Sequence, residues 1–243
     1  MPTSRPPLAI RSARVALRSA PGPWSFPTSE QAAIDVHWAR SIAANPKYFN
    51  GTVYALTGLT MATDGVDATL APIEFRQFLY WRDHGQPAVG LRDAFGAAIV
   101  RSSEGHVLLA RAAPGTLTAG RYTFVTGFID PNDCLADGTL DLLASTRREL
   151  GEEAGLGGDD VAAEPGYIVV DAGAMVMFGV IYRARLDAVA LRERMLRFAR
   201  AEAAPEIDDV MIVEGLDPVL MQQIQPTTAA ALHLVLGPSA TKA

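Results

Sequence analysis

The chain is poor in cysteine, has no long apolar run and carries no surplus of positive charge. Cys134 is the one cysteine among 243 residues, which excludes a disulfide within the chain and is compatible with a reducing compartment, so we expect a cytoplasmic protein. The longest apolar stretch, Val169 to Tyr182, is interrupted by Asp171 and is shorter than the ~20 residues of a membrane-spanning helix. With 21 Lys and Arg against 27 Asp and Glu, the formal net charge is −6. We therefore expect neither a membrane nor a nucleic-acid partner.

The first 29 residues contain four arginines, several serines and no acid, a composition typical of transit peptides. In the same segment Leu8 and Ile10, and then Val15 and Leu17, alternate with arginine or small residues, which is the period-2 pattern of a strand. We expect strand structure here, with organellar targeting as the alternative.

Turn residues and hydrophobic periodicity divide the rest of the chain into interleaved strands and helices. Ser29 is the predicted N-cap of the first helix, and Thr139 or a neighbour that of the third. Interleaving of this kind predicts an α/β or α+β fold, with an N-terminal extension over residues 1–92 packing on a core over residues 93–243. The predicted strands cover 52–61, 68–73, 95–101, 107–111, 122–125, 166–171, 174–186 and 210–214, and the predicted helices cover 30–44, 74–83, 140–154, 187–203 and 227–236.

The strongest chemical signal is the run 148–156, which reads Arg-Glu-Leu-Gly-Glu-Glu-Ala-Gly-Leu. In a helix it places Glu149, Glu152 and Glu153 on one face, at positions i, i+3 and i+4. Carboxylates at these spacings repel one another, so the face is either a solvated surface or a site for a hard divalent cation, which prefers oxygen ligands. Gly127, upstream of the helix, can add a backbone carbonyl oxygen as a further ligand.

This run resembles the helical half of the Nudix box, a signature of hydrolases that cut nucleoside diphosphates joined to another group. The resemblance implies a mixed sheet sandwiched between helices. It also implies that Glu149, Glu152 and Glu153 bind Mg²⁺, with Mn²⁺ as a substitute, and that Arg148 orients the site. Bound cations would neutralise the diphosphate and lower the pKa of an attacking water.

The loop half of the box departs from the family pattern of a glycine, five residues, a glutamate and seven residues before the arginine. The glutamate position is occupied by Leu140, and twelve residues separate it from Gly127. We expect this change to weaken catalysis without removing the metal site. Four aspartates lie close enough in sequence to substitute for the missing acid: Asp130, Asp133, Asp137 and Asp141.

A later acidic segment, Glu206 followed by Ile207, Asp208 and Asp209, comes just before a predicted strand. We take Glu206 as the candidate for a further metal ligand or a catalytic base. The alternative is an acidic loop that caps the strand.

Segments outside the box resemble one branch of the family, the UDP-glucose-type sugar nucleotide diphosphatases; they are 45–51, 127–131, 204–206 and 228–231. By similarity, the reaction would convert a UDP-sugar and water into UMP and a sugar 1-phosphate. ADP-ribose or dinucleotide substrates are the enzymatic alternative, and a nucleotide-binding module with low turnover is the other. The aromatic residues of the N-terminal part serve either base stacking or core packing: Trp38, Tyr48, Phe49, Tyr54 and Trp81. The sequence leaves the oligomeric state open.

Overall fold

The computed structural model describes residues 6–237, apart from the side chains of Pro218 and Val219. The strands are β1 Leu8–Ser12, β2 Val15–Ser19, β3 Thr52–Ala62, β4 Gly65–Glu74, β5 Asp93–Arg101, β6 Val107–Ala112, β7 Tyr122–Thr123, β8 Val125–Phe128, β9 Val161–Asp171, β10 Met175–Ala184 and β11 Ile207–Val213. The helices are α1 Gln31–Ala44, α2 Phe75–Asp83, α3 Leu142–Ala154, α4 Ala188–Ala201, α5 Pro218–Gln223 and α6 Pro226–Leu236.

A large mixed sheet forms the centre of the molecule. Its strands run in the order β1-β9-β10-β5-β6-β11, with β7 added beside β6 and β8 beside β5. β5 and β10 are parallel, whereas the other pairs in this sheet are antiparallel. In β5 the side chains alternate between the two faces, since Ala98 and Val100 join one hydrophobic cluster and Ala97 and Ile99 join another. The sheet is therefore buried on both faces.

Helices cover both faces of this sheet. On one face α3 and α4 pack, contributing Leu150 and Leu191 to the core, and on the other α6 contributes Leu232. Burying a leucine in such a core stabilises the fold by roughly 1.5–3 kcal/mol. The predicted α/β (α+β) class, with a mixed sheet between helices, is confirmed.

A second sheet of three strands, in the order β2-β4-β3, lies beside the large one. One side of it, with Leu17 and Leu56, packs into the same core as α3, and the other side, with Val53 and Ile73, packs against α1 and α2. β1 pairs with β9 in the large sheet, so the first strand belongs to the core sheet while the next three form the smaller one. The predicted division of the chain at residue 92 stays a prediction.

Most predicted elements are present, and several details differ. The strand predicted at 122–125 is two short strands interrupted at Phe124, because β7 pairs with β6 and β8 with β5. Helix α5 was absent from the predicted elements. Ser29 lies in a 3-10 turn, Thr28–Glu30, and the residue that precedes α1 is Glu30.

The start of the box helix α3 also differs from the prediction. The N-cap is Asp141, whose carboxylate accepts a hydrogen bond of 3.0 Å from the backbone N–H of Ala144. Thr139 does not cap the helix; its backbone N–H donates to the Asp137 carboxylate at 2.9 Å, within the turn that precedes the helix. An aspartate at the N-cap satisfies one of the free N–H groups of the first turn.

Candidate active site

The acidic face of α3 is presented at the last two turns of the helix. Glu149 is 9% exposed, Glu153 is partly buried, and Glu152 points outward with a side chain 60% exposed. The helix ends directly after these residues at Gly155, which adopts the left-handed conformation with φ of 64°. The predicted stop signal is therefore confirmed, and the three glutamates occupy one helical face as predicted.

Strand β8 carries Gly127 past the carboxylate of Glu149. A Cβ atom built on residue 127 would lie well under 3.0 Å from the carboxyl carbon of Glu149, a separation that real Cβ atoms do not show. Because glycine has no side chain, position 127 leaves room for the Glu149 carboxylate. The role of the Gly127 carbonyl as a metal ligand stays a prediction.

Glu206 comes to the same region from the start of β11. Its backbone oxygen accepts a hydrogen bond of 2.8 Å from the N–H of Ala113, which fixes this end of the strand. Its carboxylate is close enough to Glu149 and Glu153 that its charge raises the pKa of both. The long-range fold thus brings the late acid to the helix face.

The buried glutamates are poorly stabilised as anions. The pKa of Glu149 is raised to about 7. Burial is the main cause, the Arg148 charge opposes it, and the charges of Glu152 and Glu206 contribute to the rise. Burial raises the pKa of Glu153 well above its ordinary value, and the charges of Glu149, Glu206 and Glu152 add to the rise. Like charges held together out of water favour the neutral form unless a cation is added.

Within residues 6–237, Arg148 is the cation that contacts this cluster. Its Nη1 donates to Glu149 Oε1 at 2.7 Å and to Glu152 Oε2 at 3.3 Å. Its Nη2 donates to Asp133 Oδ2 at 3.1 Å and to the backbone oxygen of Phe128 at 3.3 Å. Burial lowers the pKa of Arg148, but the bond to Asp133 and the charges of Glu149, Asp133 and Asp130 outweigh it and raise the pKa above its already high ordinary value, so the guanidinium is charged. The predicted orienting arginine therefore joins the loop to the helix.

The four candidate acids of the loop have different positions. Asp133 and Asp130 face Arg148, at 3.1 Å and 3.5 Å. Asp137 is exposed and accepts from the N–H of Thr139, and Asp141 is the N-cap of α3, which corrects its predicted place inside the first turn. Leu140 is buried in the main core. The sequence offered no signal that separates these four acids, because the conformation of the loop decides which of them turn inward.

The chemistry of the donors, although not their present arrangement, suits a divalent cation. In residues 6–237 neither Glu153 nor Glu206 forms an ion pair, although each lies near other carboxylates. Carboxylate oxygens are the ligands that Mg²⁺ and Mn²⁺ prefer. As the side chains stand, no three Asp, Glu, His or Cys residues in the described chain form a complete ligand set, and two of the glutamates contact Arg148 instead. The ligand assignment of Glu149, Glu152 and Glu153 stays a prediction.

An aromatic cluster from the N-terminal part of the chain reaches the site through Phe128, the residue after Gly127. Its ring contacts Phe75 and Phe78 of α2, with centroids 6.0 Å and 5.1 Å away, and Phe75 also contacts Tyr48, with centroids 5.5 Å apart. Of the five aromatics considered for base stacking, Tyr54 and Trp81 are core residues and Phe49 is 78% exposed, while Trp38 and Tyr48 are partly buried.

Three solved structures illustrate what the fold is similar to. A Nudix hydrolase from M. smegmatis, RenU, is 17% identical with a TM-score of 0.39 over 59% of this chain and 83% of that one. A MutT protein from Methanosarcina mazei Go1 is 16% identical with a TM-score of 0.37 over 59% and 92%. A bifunctional NMN adenylyltransferase/ADP ribose pyrophosphatase from Francisella tularensis, complexed with AMP and a Mn ion, is 14% identical with a TM-score of 0.41 over 65% and 45%.

At these values the likeness concerns part of the fold and says nothing about a substrate. No protein-family model matches the chain, and no curated protein matches it. Within residues 6–237, none of the helices has the length and apolar character needed to cross a bilayer.

Proposed function

We propose that the chain is a Mg²⁺-dependent Nudix hydrolase that cleaves the diphosphate of a nucleoside diphosphate derivative, with Mn²⁺ able to replace Mg²⁺. The observation that carries the proposal is the cluster of acids at the end of α3. There Arg148 bonds Glu149, Glu152 and Asp133, and the charge of Glu206, from outside the helix, raises the pKa of Glu149 and Glu153. An acidic helix face alone is usually a solvated surface. A remote carboxylate added to partly buried ones, with no arginine or lysine paired to it, is typical of a cation site.

The roles of the side chains follow from their positions. Glu149, Glu152 and Glu153 would hold the metal, with the Gly127 carbonyl as a further ligand, and a bound divalent cation supplies charge neutralisation and a more acidic water. Arg148 keeps two of these glutamates in place through Nη1. Glu206, exposed at the edge of the cluster, would accept a proton from the attacking water or serve as a further metal ligand.

We favour a UDP-sugar as the substrate, which would give UMP and a sugar 1-phosphate in the cytoplasm. Support comes from the sequence segments that resemble that branch of the family, and the structure shows how one of them is built. Asn45 donates through Nδ2 to the backbone oxygen of Gly115 at 2.7 Å, and Asn50 binds both the Glu74 carboxylate and the N–H of Arg76. These bonds hold the segment 45–51, in which the exposed Phe49 would contact a base or sugar, with Tyr48 beside it packed against Phe75.

The proposal is tested by supplying UDP-glucose, ADP-ribose and dinucleotides with Mg²⁺ or Mn²⁺ and measuring the release of nucleoside monophosphate. We expect Glu152→Gln to lower the rate by at least ~100-fold, since a ligand charge is lost while the shape is kept. Glu193→Gln, an exposed glutamate on α4, is the matched control and should keep the wild-type rate. An unchanged rate for Glu152→Gln would show that the metal-dependent mechanism is wrong.

The same panel separates the two alternatives. Preferred turnover of ADP-ribose or a dinucleotide would replace the UDP-sugar assignment and leave the site chemistry as it stands. If no compound is hydrolysed but nucleotide and metal together raise the melting temperature, the chain is a nucleotide-binding module.

A further inference from the structure

The loop between Gly127 and α3 contributes a buried acid to the site. Asp133 is 3% exposed, and its carboxylate receives two hydrogen bonds, from Arg148 Nη2 at 3.1 Å and from the backbone N–H of Asp130 at 3.0 Å. Buried aspartates are rare unless they are paired, because leaving water costs the charged form several kcal/mol. Asp133 is paired with the residue that also contacts the candidate metal ligands.

The guanidinium of Arg148 links the loop to the helix. It is planar, so fixing Nη2 against Asp133 also fixes the direction in which Nη1 points. Nη1 is the nitrogen that holds Glu149 at 2.7 Å and Glu152 at 3.3 Å. The contact with Asp133 therefore acts on the two glutamates through Arg148, without touching them.

The loop itself is anchored on other parts of the fold. Its 3-10 turn, Pro131–Asp133, is closed by reciprocal bonds between Asp130 and Asp133, and the Asp133 backbone oxygen accepts from the N–H of Asp141 at 2.8 Å. On the other side, Leu140 donates its N–H to Leu17 of β2 at 3.0 Å. The acid is thus held in place from both the helix cap and the small sheet.

We propose that Asp133, with Asp130 beside it, is the positioning residue that orients Arg148 and so takes over the place left by the absence of an acid at Leu140. The proposal rests on the proposed function. Leu140 fills the core, where it is 2% exposed, and the longer loop brings a carboxylate back to the arginine from a different point of the chain. On this proposal, the longer loop supplies the carboxylate that position 140 lacks, so the two departures from the family pattern compensate each other.

The test uses Asp133→Asn in the full chain. Asparagine keeps an oxygen that can accept the Asp130 N–H but removes the charge opposite Arg148. We expect kcat to fall ~10- to 100-fold with KM little changed, and the Kd for Mn²⁺, measured with the metal alone, to rise at least ~10-fold. Asp137→Asn, an exposed acid of the same loop that bonds only within the loop, is the control and should keep both constants.

A double-mutant cycle distinguishes positioning from a structural role. In an Arg148→Gln background, Asp133→Asn should change the Mn²⁺ affinity no further, because the residue through which it acts is gone. Additive losses in that background would overturn the proposal, and so would wild-type constants for Asp133→Asn. If Asp133→Asn does not fold, Asp130→Asn is measured instead; a smaller loss in the same direction is expected, and an unchanged Mn²⁺ affinity overturns the proposal.

The outcomes also separate this inference from the function it rests on. If the wild-type chain binds no Mn²⁺ and hydrolyses nothing, the proposed function fails. If it does both and Asp133→Asn matches it, only the positioning role fails.

Discussion

Gly127 and Glu149 are so close that any side chain at position 127 would overlap the Glu149 carboxyl group. Gly127→Ala should therefore displace Glu149 from β8 and from Arg148. We expect the Kd for Mn²⁺ to rise at least ~10-fold and hydrolysis to fall with it, both measured on the folded variant.

The matched control for this change is on the same helix as Glu149. A Cβ at Gly151 meets no other atom within 4 Å, so Gly151→Ala should keep Mn²⁺ binding and stabilise α3 by about 0.5–1 kcal/mol. If Gly127→Ala keeps the wild-type Kd for Mn²⁺, the observed position of Glu149 is not required for metal binding.

Asp93 gives a pH prediction away from the candidate site. Its Oδ1 is buried without a hydrogen-bond partner, and burial raises the pKa of the carboxyl from 3.8 to about 7, opposed by the charge of Arg82. The folded chain then keeps a proton that the unfolded chain releases above pH ~4. The free energy of unfolding should therefore fall as the pH rises from ~4 to ~7 and level off above that.

Replacing this acid removes the effect while keeping its shape. Asp93→Asn should be more stable than the wild type at pH 8, by on the order of 2 kcal/mol, and the difference should shrink towards pH 4. This difference is measured by urea unfolding at several pH values. Glu149 and Glu153 contribute the same pH dependence to both proteins, so their effects cancel in the difference. Asp159→Asn, at an exposed position, should show no such trend. A pH-independent difference for Asp93→Asn would contradict the raised pKa.

Asp141 is predicted to act as a helix cap and not as a metal ligand. Asp141→Ala should lower the free energy of unfolding by ~1 kcal/mol, because the N–H of Ala144 loses its acceptor. Asp141→Asn keeps an acceptor oxygen and should lose little stability and no Mn²⁺ affinity. Weaker Mn²⁺ binding in the asparagine variant would make Asp141 a candidate ligand again.

Gly155 ends the acidic helix under two constraints at once. Its φ of 64° is in the left-handed region, and an added Cβ would overlap the ring of Phe198. We expect Gly155→Ala to lower the free energy of unfolding by roughly 2 kcal/mol or more. Gly158→Ala, where a Cβ meets nothing within 4 Å, should lie within ~0.5 kcal/mol of the wild type, and equal losses in the two variants would rule out both constraints at Gly155.

The sequence predicts features that depend on neighbours along the chain. The spacing of Glu149, Glu152 and Glu153 places them on one face of any helix, and Gly155 ends that helix, so both are visible before the fold is known. The alternation of Leu8 and Ile10 with other residues likewise predicts β1. Such patterns need no partner from a distant part of the chain.

Features that depend on distant contacts could not be read in the same way. Glu206 comes near the end of α3 because β11 pairs with β6, and Asp133 faces Arg148 in a loop that is bonded to Asp141 at the helix cap and to Leu17 of β2. The break at Phe124 has the same origin, since β7 and β8 pair with different strands. The sequence identifies Glu206 and Asp133 as candidate acids, but their positions relative to α3 depend on the tertiary fold.

The pairing of β1 with β9 has a consequence for how the protein is made. On the ribosome, Leu8 is synthesised long before Asp171, its partner in the register. β1 therefore leaves the exit tunnel before its partner β9 has been synthesised, and its edge stays unpaired until then. Contacts of such long sequence separation slow folding and prolong exposure to aggregation. We expect yield during synthesis to be more sensitive to substitutions in Leu8–Ser12 than the equilibrium stability of the finished protein.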